Sequence, residues 1–357
     1  MKTIFFTPGP SQLYPTVKQH ITKALDSNIL SLSHRSKQFE AIFNHATSGI
    51  RTLLKVPQNY HIVFVTSGTE AMERIIQNCV EKYSFHVTNG SFGERFFVTA
   101  DELQKSPQKY EVEWGKEFVY NDIHIPKQTE LICFTQNETI TGFAIDMNDI
   151  YQYRENYPDA LIAVDIVSSA PYVAIDYAQT DCVFFSVQKG FGLPAGLGVI
   201  ILSPRALEKA TYLQKKHYTV GTSHCFPTLV TWAKKNQTME TPNVLGMYLL
   251  GKVITDMQKK GIALIRKQQE EKAKLLYDFF DNHKIYKPFI TKKQNRSQTV
   301  AVIATGENKG ILSMLEKNGF IVGEGYGQYK NSYLRIAQFP AHALHDVKNL
   351  LEVFKHL

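Results

Sequence analysis

Short apolar runs alternate with amphipathic segments between Pro15 and about Lys216. The apolar runs predict buried strands at residues 61–65, 84–88, 130–134, 161–164, 182–186 and 197–202. Apolar residues at helical spacing predict helices at residues 71–80, at 147–156 and, most clearly, after Ser36. Strands that alternate with helices favour parallel pairing, with helices on both faces of the sheet. The pattern therefore predicts an α/β fold of the doubly wound kind.

The pattern changes after Pro242. A long, charged helical stretch at residues 262–282 is followed by strands at 299–304 and 332–336 and by helices at 312–317 and 343–354. A chain of 357 residues is long enough for about two domains. We predict a large domain at residues 15–240 and a smaller α+β domain formed by residues 1–14 together with 241–357.

Composition excludes several classes of protein. Hydrophobic residues make up 43% of the chain and charged residues 20%, which is typical of a folded globular protein and not of a disordered one. The longest apolar runs, such as residues 198–202, are far shorter than the roughly 18 residues that a membrane-spanning helix needs. The net charge of +7 comes from scattered basic residues, so we expect attraction of small anions and no nucleic-acid partner.

The cysteines and the N-terminus indicate a compartment. Cys79, Cys133, Cys182 and Cys225 share no short spacing, so neither a disulfide framework nor a metal site is predicted. Near the N-terminus, Pro-Gly-Pro interrupts an apolar patch before the core of a signal peptide can form. We therefore predict a cytoplasmic protein without membrane attachment.

Lys189 is the first candidate for chemistry. It follows the strand predicted at 182–186 and begins a glycine-rich segment that ends at Gly198. Glycines allow a close backbone approach, which would desolvate the lysine and free its amine as a nucleophile. A lysine of this kind taken alone is more often an exposed loop residue.

Asp165 and a small-residue turn are the next candidates. Ligands of parallel sheets bind at the carboxyl ends of the strands, so Asp165, after the strand at 161–164, would share a cleft with Lys189. Such a carboxylate can keep the ring nitrogen of pyridoxal phosphate (PLP) protonated while a lysine carries the cofactor as a Schiff base. The alternative is that Asp165 only caps the next turn. Ser67 to Glu70 begin a helix, whose N-terminus suits a phosphate, although serine and threonine there are also ordinary caps.

Six segments resemble, in order and spacing, the class V branch of the fold-type I PLP enzymes, and within it the phosphoserine aminotransferase type. They are TPGP (7–10), LSHRSKQF (32–39), QNETITG (136–142), AVDIVSS (163–169), SVQKGFGLPAGLG (186–198) and LRIAQFP (334–340). The resemblance implies a fold-type I PLP-dependent transferase with a mostly parallel sheet, helices on both faces and a smaller C-terminal α+β domain. It also implies a transaminase of serine biosynthesis. Such an enzyme moves an amino group between glutamate or 2-oxoglutarate and a small acidic amino acid or keto acid by a ping-pong Schiff-base mechanism.

The resemblance also assigns roles to single residues. Lys189 would carry PLP and move a proton, and Asp165 would pair with the pyridine nitrogen. The other implied cofactor contacts are Gly68, Thr69, Glu70 and Gln188 at the phosphate, Thr139 at the 3-hydroxyl, Phe92 stacked on the ring, and Thr241 at the phosphate of a neighbouring subunit. The implied substrate contacts are Arg335 at the α-carboxylate and, from across a homodimer with interface active sites, His34 and Arg35 at the distal anionic group. The alternatives are a core phenylalanine for Phe92, a basic pair at a helix start for His34 and Arg35, and a solvated surface residue for Arg335.

Three departures from the family pattern reduce positive charge where phosphate groups would lie. Glu70 stands where the family has arginine, Gln328-Tyr329 where it has a histidine–arginine pair, and Glu240 where it has asparagine. A glutamate in place of an arginine turns attraction of a phosphate into repulsion. The substitutions therefore favour an unphosphorylated keto acid over phosphoserine.

Other functions remain open from the sequence. One is a class V aminotransferase of the alanine or serine–glyoxylate type, which the string SGTEAM after Thr66 resembles. A cysteine desulfurase needs a thiol on a mobile loop, and only Cys225 has a loop-like context. A function of another class is a PLP-binding protein without turnover.

Overall fold

The computed structural model describes residues 3–357, apart from the side chain of Asn121. Met1 and Lys2, with which the predicted small domain begins, lie outside the described residues. The described chain forms a seven-stranded sheet, a five-stranded sheet and a two-stranded hairpin. Over this part of the chain, no helix is long and apolar enough to cross a membrane.

Strands and helices alternate through most of the chain. The strands are β1 (Ile4–Phe6), β2 (His61–Val65), β3 (Ser84–Thr88), β4 (Gln108–Glu111), β5 (Leu131–Thr135), β6 (Asn137–Glu138), β7 (Phe143–Ala144), β8 (Leu161–Asp165), β9 (Cys182–Ser186), β10 (Gly198–Leu202), β11 (Lys287–Pro288), β12 (Val300–Ala304), β13 (Phe320–Glu324) and β14 (Tyr333–Ala337). The helices are α1 (Val17–Asp26), α2 (Lys37–Leu54), α3 (Gly68–Cys79), α4 (Ser91–Glu102), α5 (Met147–Asn156), α6 (Pro204–Lys215), α7 (Phe226–Ala233), α8 (Val244–Lys260), α9 (Ile262–Asn282), α10 (Lys309–Lys317) and α11 (Leu344–Phe354).

The seven-stranded sheet is mostly parallel and has the order β2-β10-β9-β8-β5-β3-β4. Strands β9, β8, β5, β3 and β4 pair in parallel, whereas β10 runs antiparallel to both of its neighbours. Only residues 187–197 join β9 to β10, and this connection is too short for the helical crossover that a parallel pair needs. The sheet is thus mostly parallel, as predicted, with β10 as its antiparallel strand.

Helices cover both faces of this sheet. In β8, Ile162 and Val164 belong to a core cluster that also contains residues of α2 and α8, whereas Leu161 and Ala163 belong to a second cluster with residues of α3. Successive strand residues point to opposite faces, so burial of both sets requires a layer of helices on each side. This arrangement is the predicted doubly wound α/β fold.

The five-stranded sheet has the order β1-β13-β14-β12-β11. Strand β1 pairs in parallel with β13, and the other pairs are antiparallel. Helices α9, α10 and α11 bury apolar residues against it, for example Phe280, Leu315 and Leu350. Because β1 joins this C-terminal sheet, the residues that follow β1 lie beside β13 and β14.

The division into residues 15–240 and residues 1–14 with 241–357 stays a prediction. The pairing of β1 with β13 places the two ends of the chain in one sheet. Helix α8 follows residue 241 but packs on α2, where Ile254 contacts Gly49, in the core of the seven-stranded sheet. A boundary after α8 therefore fits this packing better than one at residue 241.

Candidate active site

A cavity of about 380 Å³ lies where the two larger sheets meet. The seven-stranded sheet contributes the carboxyl ends of β8 and β9 together with the turn after β9, and the five-stranded sheet contributes residues of β13 and β14. The carboxyl edge of a parallel sheet is the usual place for a ligand in such folds. The predicted site residues that line this cavity are Gly68, Thr69, Phe92, Thr139, Asp165, Gln188, Lys189 and Arg335.

The turn after β9 is tight because it contains glycine. A Cβ atom on Gly190 would lie 1.8 Å from the carbonyl oxygen of Ala170. Gly192 has a φ of +61°, and a Cβ there would lie 2.6 Å from the backbone nitrogen of Tyr14. The glycines thus permit the close backbone approach that the sequence predicted, and Lys189 projects from this turn into the cavity.

The amine of Lys189 is buried and has one hydrogen-bond partner among the residues that the structure describes. The residue is 6% exposed, and its Nζ donates to Thr139 Oγ1 at 3.2 Å. Burial lowers the pKa of Lys189 to about 8, although the carboxylates of Asp165 and Glu138 oppose this shift. More neutral amine is therefore present near neutral pH than in an exposed lysine, which makes Lys189 a candidate nucleophile and base.

Asp165 ends β8 with its carboxyl group at the cavity. Its Oδ1 accepts a hydrogen bond from the Val167 N–H at 2.7 Å, and within residues 3–357 its side chain makes no other. Burial raises the pKa of Asp165 to about 7, although the Val167 N–H and the charge of Lys189 act in the opposite direction. One oxygen of Asp165 thus caps the next turn, and the group remains suited to hold a protonated ring nitrogen.

Phe92 and Thr139 both lie near the lysine amine. The Nζ of Lys189 is 4.9 Å from the centre of the Phe92 ring. Phe92 is partly exposed, in the first turn of α4, and Thr139 is buried after β6. Phe92 therefore presents its ring to the cavity and is not a fully buried core residue.

Helix α3 begins at the wall of the cavity. The Oγ of Ser67 caps this helix by accepting a hydrogen bond from the Glu70 N–H at 3.0 Å. A Cβ on Gly68 would lie 2.8 Å from Val167 and 3.0 Å from the Oγ of Ser186, so only glycine lets the helix approach the sheet so closely. The Ser186 Oγ is buried and has no hydrogen-bond partner within the described residues. A helix N-terminus beside an unpaired hydroxyl is a suitable corner for an anion.

Arg335 lies on the opposite wall, in β14. Its Nε donates to the carbonyl oxygen of Glu324 at 2.7 Å, and its guanidinium carbon is 6.0 Å from the ring centre of Tyr326. Its two terminal nitrogens make no hydrogen bond to any other described residue. The guanidinium is therefore held in place with donors left over, as bidentate binding of a carboxylate requires.

The family of the chain follows from comparison with known proteins. The family model described as aminotransferase class-V matches residues 3–328. The chain is a class V aminotransferase. The predicted resemblance and the predicted fold-type I fold are therefore confirmed.

Several relatives of this aminotransferase match over nearly their whole length. A phosphoserine aminotransferase from Cytophaga hutchinsonii has 47% identity and a TM-score of 0.97, with coverage of 99% of this chain and 98% of that chain. A phosphoserine aminotransferase from Rhodococcus opacus is 27% identical over 97% of this chain and 92% of its own. An alanine–glyoxylate aminotransferase from Nostoc sp. shares the fold, with a TM-score of 0.85 at 20% identity over 100% of this chain and 95% of its own. These comparisons do not favour the alanine or serine–glyoxylate alternative or a PLP-binding protein without turnover.

Some residues predicted for the site lie outside this cavity, in a second group on the aminotransferase. The Oγ1 of Thr241 lies 3.5 Å from the Nδ1 of His34. The guanidinium of Arg35 lies 3.9 Å from the ring centre of Trp232 and donates to the carbonyl oxygen of Met239 at 2.9 Å. The structure therefore gathers His34, Arg35 and Thr241 near one another, away from the cavity of their own chain. Their predicted action on a neighbouring subunit stays a prediction.

Glu70 also lies outside the cavity lining. Its Oε2 accepts hydrogen bonds from the N–H of Thr66 at 2.7 Å and its Oγ1 at 2.6 Å. Its Oε1 contacts His224 Nδ1 and lies 3.5 Å from Arg74 Nε, and the other ring nitrogen of His224 lies 2.9 Å from Glu240. Burial disfavours the charge of Glu70, but the hydrogen bonds from Thr66 and His224 outweigh burial and lower its pKa. The predicted repulsion of phosphate assumed a free carboxylate, whereas this carboxylate is paired within the chain.

Tyr329 stands where the family pattern has a basic residue, and it packs among aromatic rings. Its ring centre lies 4.7 Å from Tyr333, 5.2 Å from Phe289 and 6.1 Å from Trp114. This cluster lies beside β14 and Tyr329 does not line the cavity. Tyr329 thus supplies packing between distant segments at the place where the family supplies charge.

Two residues change the sequence-based account of the site. Cys225, the candidate thiol of a desulfurase, is 1% exposed, with its Sγ donating to Thr228 Oγ1 at 3.0 Å, so it is not on an open loop. Glu138 was not predicted, yet it is buried beside Phe92 and Thr139. The only signal for Glu138 was its place in the string QNETITG.

Proposed function

We propose that this aminotransferase binds PLP on Lys189 and moves an amino group between phosphoserine and glutamate through their keto acids. The observation that carries the proposed reaction is the buried amine of Lys189 in one cavity with Asp165 and Arg335. The choice of phosphoserine as the small acidic amino acid rests on the relative from Cytophaga hutchinsonii, which is 47% identical and is a phosphoserine aminotransferase.

The residues of the cavity fit PLP. The cofactor needs an amine for its aldehyde and a carboxylate for its ring nitrogen, and Lys189 and Asp165 supply these two groups. Its phosphate needs several donors, which the N-terminus of α3 at Gly68 and Thr69 and the unpaired hydroxyl of Ser186 provide. Because the buried Ser186 hydroxyl lacks a partner, a ligand that accepts from it would remove an unfavourable feature of the site. We also assign Gln188 to the phosphate, Thr139 to the 3-hydroxyl and Phe92 to the face of the ring.

The protein side of the reaction requires binding, orientation and one movable proton. When bound, PLP withdraws electrons from the substrate carbon that loses its proton. Asp165 stabilises a proton on the ring nitrogen, which favours this withdrawal. Lys189, whose pKa burial lowers to about 8, is suited to take a proton from the substrate carbon and return it. Arg335 holds the α-carboxylate, so that the carbon faces the amine.

The substrate phosphate requires positive charge that Glu70 does not cancel. The Glu70 carboxylate does not line the cavity and lies 3.5 Å from Arg74 Nε, so Arg74 offsets part of the charge reversal expected from the sequence. We assign recognition of the distal phosphate to His34 and Arg35 of a second copy, with Thr241 at the phosphate of that copy's cofactor. This assignment makes the enzyme a homodimer with interface active sites. We also propose a cytoplasmic location in serine biosynthesis, which the reduced, buried cysteines fit.

Absorption spectroscopy of the purified protein tests the proposed function. PLP bound to Lys189 should give a visible band, and phosphoserine or glutamate should convert this band to the shorter-wavelength spectrum of the amine form of the cofactor. Reduction with borohydride followed by peptide mass spectrometry should place the cofactor on Lys189. Lys272 is a matched internal control, since it is also buried and burial lowers its pKa to about 7, but its Nζ donates to the carbonyl oxygens of Gln338 and Phe339.

Each outcome decides one part of the proposal. No visible band, or a cofactor found on Lys272, would contradict the role of Lys189. A band that glutamate converts and phosphoserine does not would retain transamination and overturn phosphoserine as the substrate.

A further inference from the structure

Glu138 is a buried carboxylate that no predicted role includes. It is 1% exposed and accepts three backbone hydrogen bonds. Its Oε2 accepts from the N–H groups of Phe92 at 2.9 Å and Gly93 at 3.2 Å, and its Oε1 accepts from the N–H of Ile140 at 3.1 Å. One side chain thus connects β6 with the first turn of α4.

Glu138 provides the cap that helix α4 lacks in its own sequence. The residue at the N-cap is Gly90, which has no side chain to accept a hydrogen bond from the first turn. A Cβ at Gly90 would lie 2.3 to 2.9 Å from atoms of the Glu138 carboxyl end. A carboxylate at a helix N-terminus is favoured by the free N–H groups and by the helix dipole. Gly90 and Glu138 therefore form a matched pair, in which the glycine leaves the space that the carboxylate fills.

The backbone N–H groups that donate to Glu138 belong to, or directly follow, two residues that line the cavity, Phe92 and Thr139. Phe92 gives one of the bonded N–H groups, and its ring centre lies 4.9 Å from Lys189 Nζ. Thr139 lies between Glu138 and the bonded N–H of Ile140, and its Oγ1 accepts from Lys189 Nζ at 3.2 Å. A change in the carboxylate would consequently move both contacts of the lysine amine.

Glu138 also contributes charge to this part of the molecule. Burial raises the pKa of Glu138, and the three backbone N–H groups and the ammonium of Lys189 oppose this shift. Glu138 in turn favours the charged forms of Lys189 and Arg335. Burial of a carboxylate is costly, and the three backbone N–H groups together with the charge of Lys189 offset part of this cost.

We propose that Glu138 is a positioning residue of the amino-transfer reaction. It fixes Phe92 and Thr139 against Lys189, and it supplies a second counter-charge to the lysine when Asp165 is engaged by a cofactor. This inference deepens the proposed function, and the role of Glu138 in amino transfer rests on it. The structural link between Glu138 and Lys189 does not depend on the proposed function, because it is present without a cofactor.

The test measures the reactivity of Lys189 in protein freed of PLP. Wild type, Glu138→Gln and Glu138→Asp are treated with acetic anhydride at a series of pH values, and mass spectrometry gives the acetylated fraction of Lys189. Glu138→Gln removes the negative charge, so the midpoint of the pH profile should fall by about 1 pH unit. Glu138→Asp keeps the charge, so the midpoint should return toward the wild-type value. With PLP bound, both variants should lower kcat more than they change KM, because Phe92 and Thr139 shift.

Glu130 offers a matched control at the other end of β5. Its carboxylate also accepts from three backbone N–H groups, those of Glu81, Lys82 and Tyr83, at 2.9, 2.7 and 2.9 Å. Glu130→Gln should lower the melting temperature without moving the Lys189 midpoint.

The inference is overturned if Glu138→Gln leaves the midpoint of Lys189 unchanged, or if Glu130→Gln moves it equally. If Glu138→Gln does not fold, the inference is overturned by a Glu138→Asp variant whose kcat/KM equals that of the wild type. A shifted midpoint in a protein that never binds PLP would instead contradict the proposed function and leave the link between Glu138 and Lys189 intact.

Discussion

Asp165, which ends β8, and Asp181, which immediately precedes β9, are two buried aspartates, and replacement of each by asparagine should have opposite effects on stability. Asp165 is 4% exposed and accepts one hydrogen bond, from the Val167 N–H. Asp181 is 2% exposed, forms an ion pair with Arg154 and accepts hydrogen bonds from the Ile162 N–H at 2.9 Å and from a serine hydroxyl at 2.8 Å. An asparagine at residue 165 can still accept from Val167 while it removes the poorly compensated charge.

The size of the effect follows from the pKa of Asp165. Burial raises this pKa from its ordinary 3.8 to about 7. Between these two pH values the carboxyl group is protonated in the folded protein and ionised in the unfolded chain. The stability that the protonated group allows is fully present below the unfolded pKa of 3.8 and is lost as the pH rises through about 7. Above that pH the ionised group costs about 4 kcal/mol. Asp165→Asn escapes this cost, whereas Asp181→Asn leaves the half-buried Arg154 without its carboxylate and should cost about 1 to 3 kcal/mol.

Urea denaturation of the protein freed of PLP measures both changes. At about pH 8.5 the Asp165→Asn variant should be more stable than wild type by about 4 kcal/mol, and at about pH 5 the difference should shrink to between about 1 and 2 kcal/mol. With PLP present, the same variant should lose about 100-fold or more in amino transfer, because the ring nitrogen has lost its partner. An Asp165→Asn variant that is less stable than wild type at both pH values would refute the reasoning from burial.

Three further substitutions probe the walls of the site. Gly9→Ala adds a Cβ at 2.9 Å from Lys189 Cε, at a residue with a φ of +131°. It should weaken PLP binding, measured by equilibrium dialysis, and lower the free energy of unfolding by about 1 to 3 kcal/mol. Unchanged binding would show that the lysine side chain adjusts freely. His224→Ala removes one of several partners of the Glu70 carboxylate and should destabilise the protein by about 1 kcal/mol in urea, and no change would mean that this pair contributes nothing. Arg335→Lys should raise KM for both amino acids by about tenfold or more in steady-state kinetics, since a lysine cannot bind a carboxylate through two parallel hydrogen bonds. An effect on one amino acid only would place Arg335 at a side chain and not at the shared α-carboxylate.

The fold was predictable where the local pattern of apolar and polar residues defines an element. Strands β2, β3 and β9 begin and end at the predicted residues, because apolar runs buried on both faces have sharp polar boundaries. Strand β4 was missed because Gln108–Glu111 is a polar edge strand, exposed at both ends, with no apolar alternation. Helix α4 was missed because its N-cap is Gly90, and its capping carboxylate lies more than forty residues away in sequence.

The residues of the site were predictable where they follow the ends of strands, and their partners from distant segments were not. Residues at strand ends, such as Asp165 and Lys189, were expected to share a cleft because the geometry of a parallel sheet fixes where strand ends lie. The contact of Glu70 with His224 could not be predicted because the two residues are distant in sequence, and residue identity alone does not tell whether a carboxylate is paired. Glu138 escaped notice for the same reason, since its donors belong to another element.

The balance of charges around the cavity bears on where a phosphorylated substrate gets its counter-charge. Lys189 and Arg335 supply two positive charges, which Asp165 and Glu138 match when all four groups are ionised. A phosphomonoester brings about 1.5 to 2 negative charges near neutral pH, in addition to the carboxylate that Arg335 would bind. The cavity of one chain therefore has no surplus cation for it, and cationic groups from elsewhere must meet the phosphate. We propose that the exposed Arg35 and its neighbour His34 supply this charge, since the partners of the Arg35 guanidinium are neutral oxygens and not carboxylates. On this reasoning the second copy in the proposed dimer is part of the substrate site, and a monomeric form of the chain would keep the lysine chemistry while it loses preference for phosphoserine.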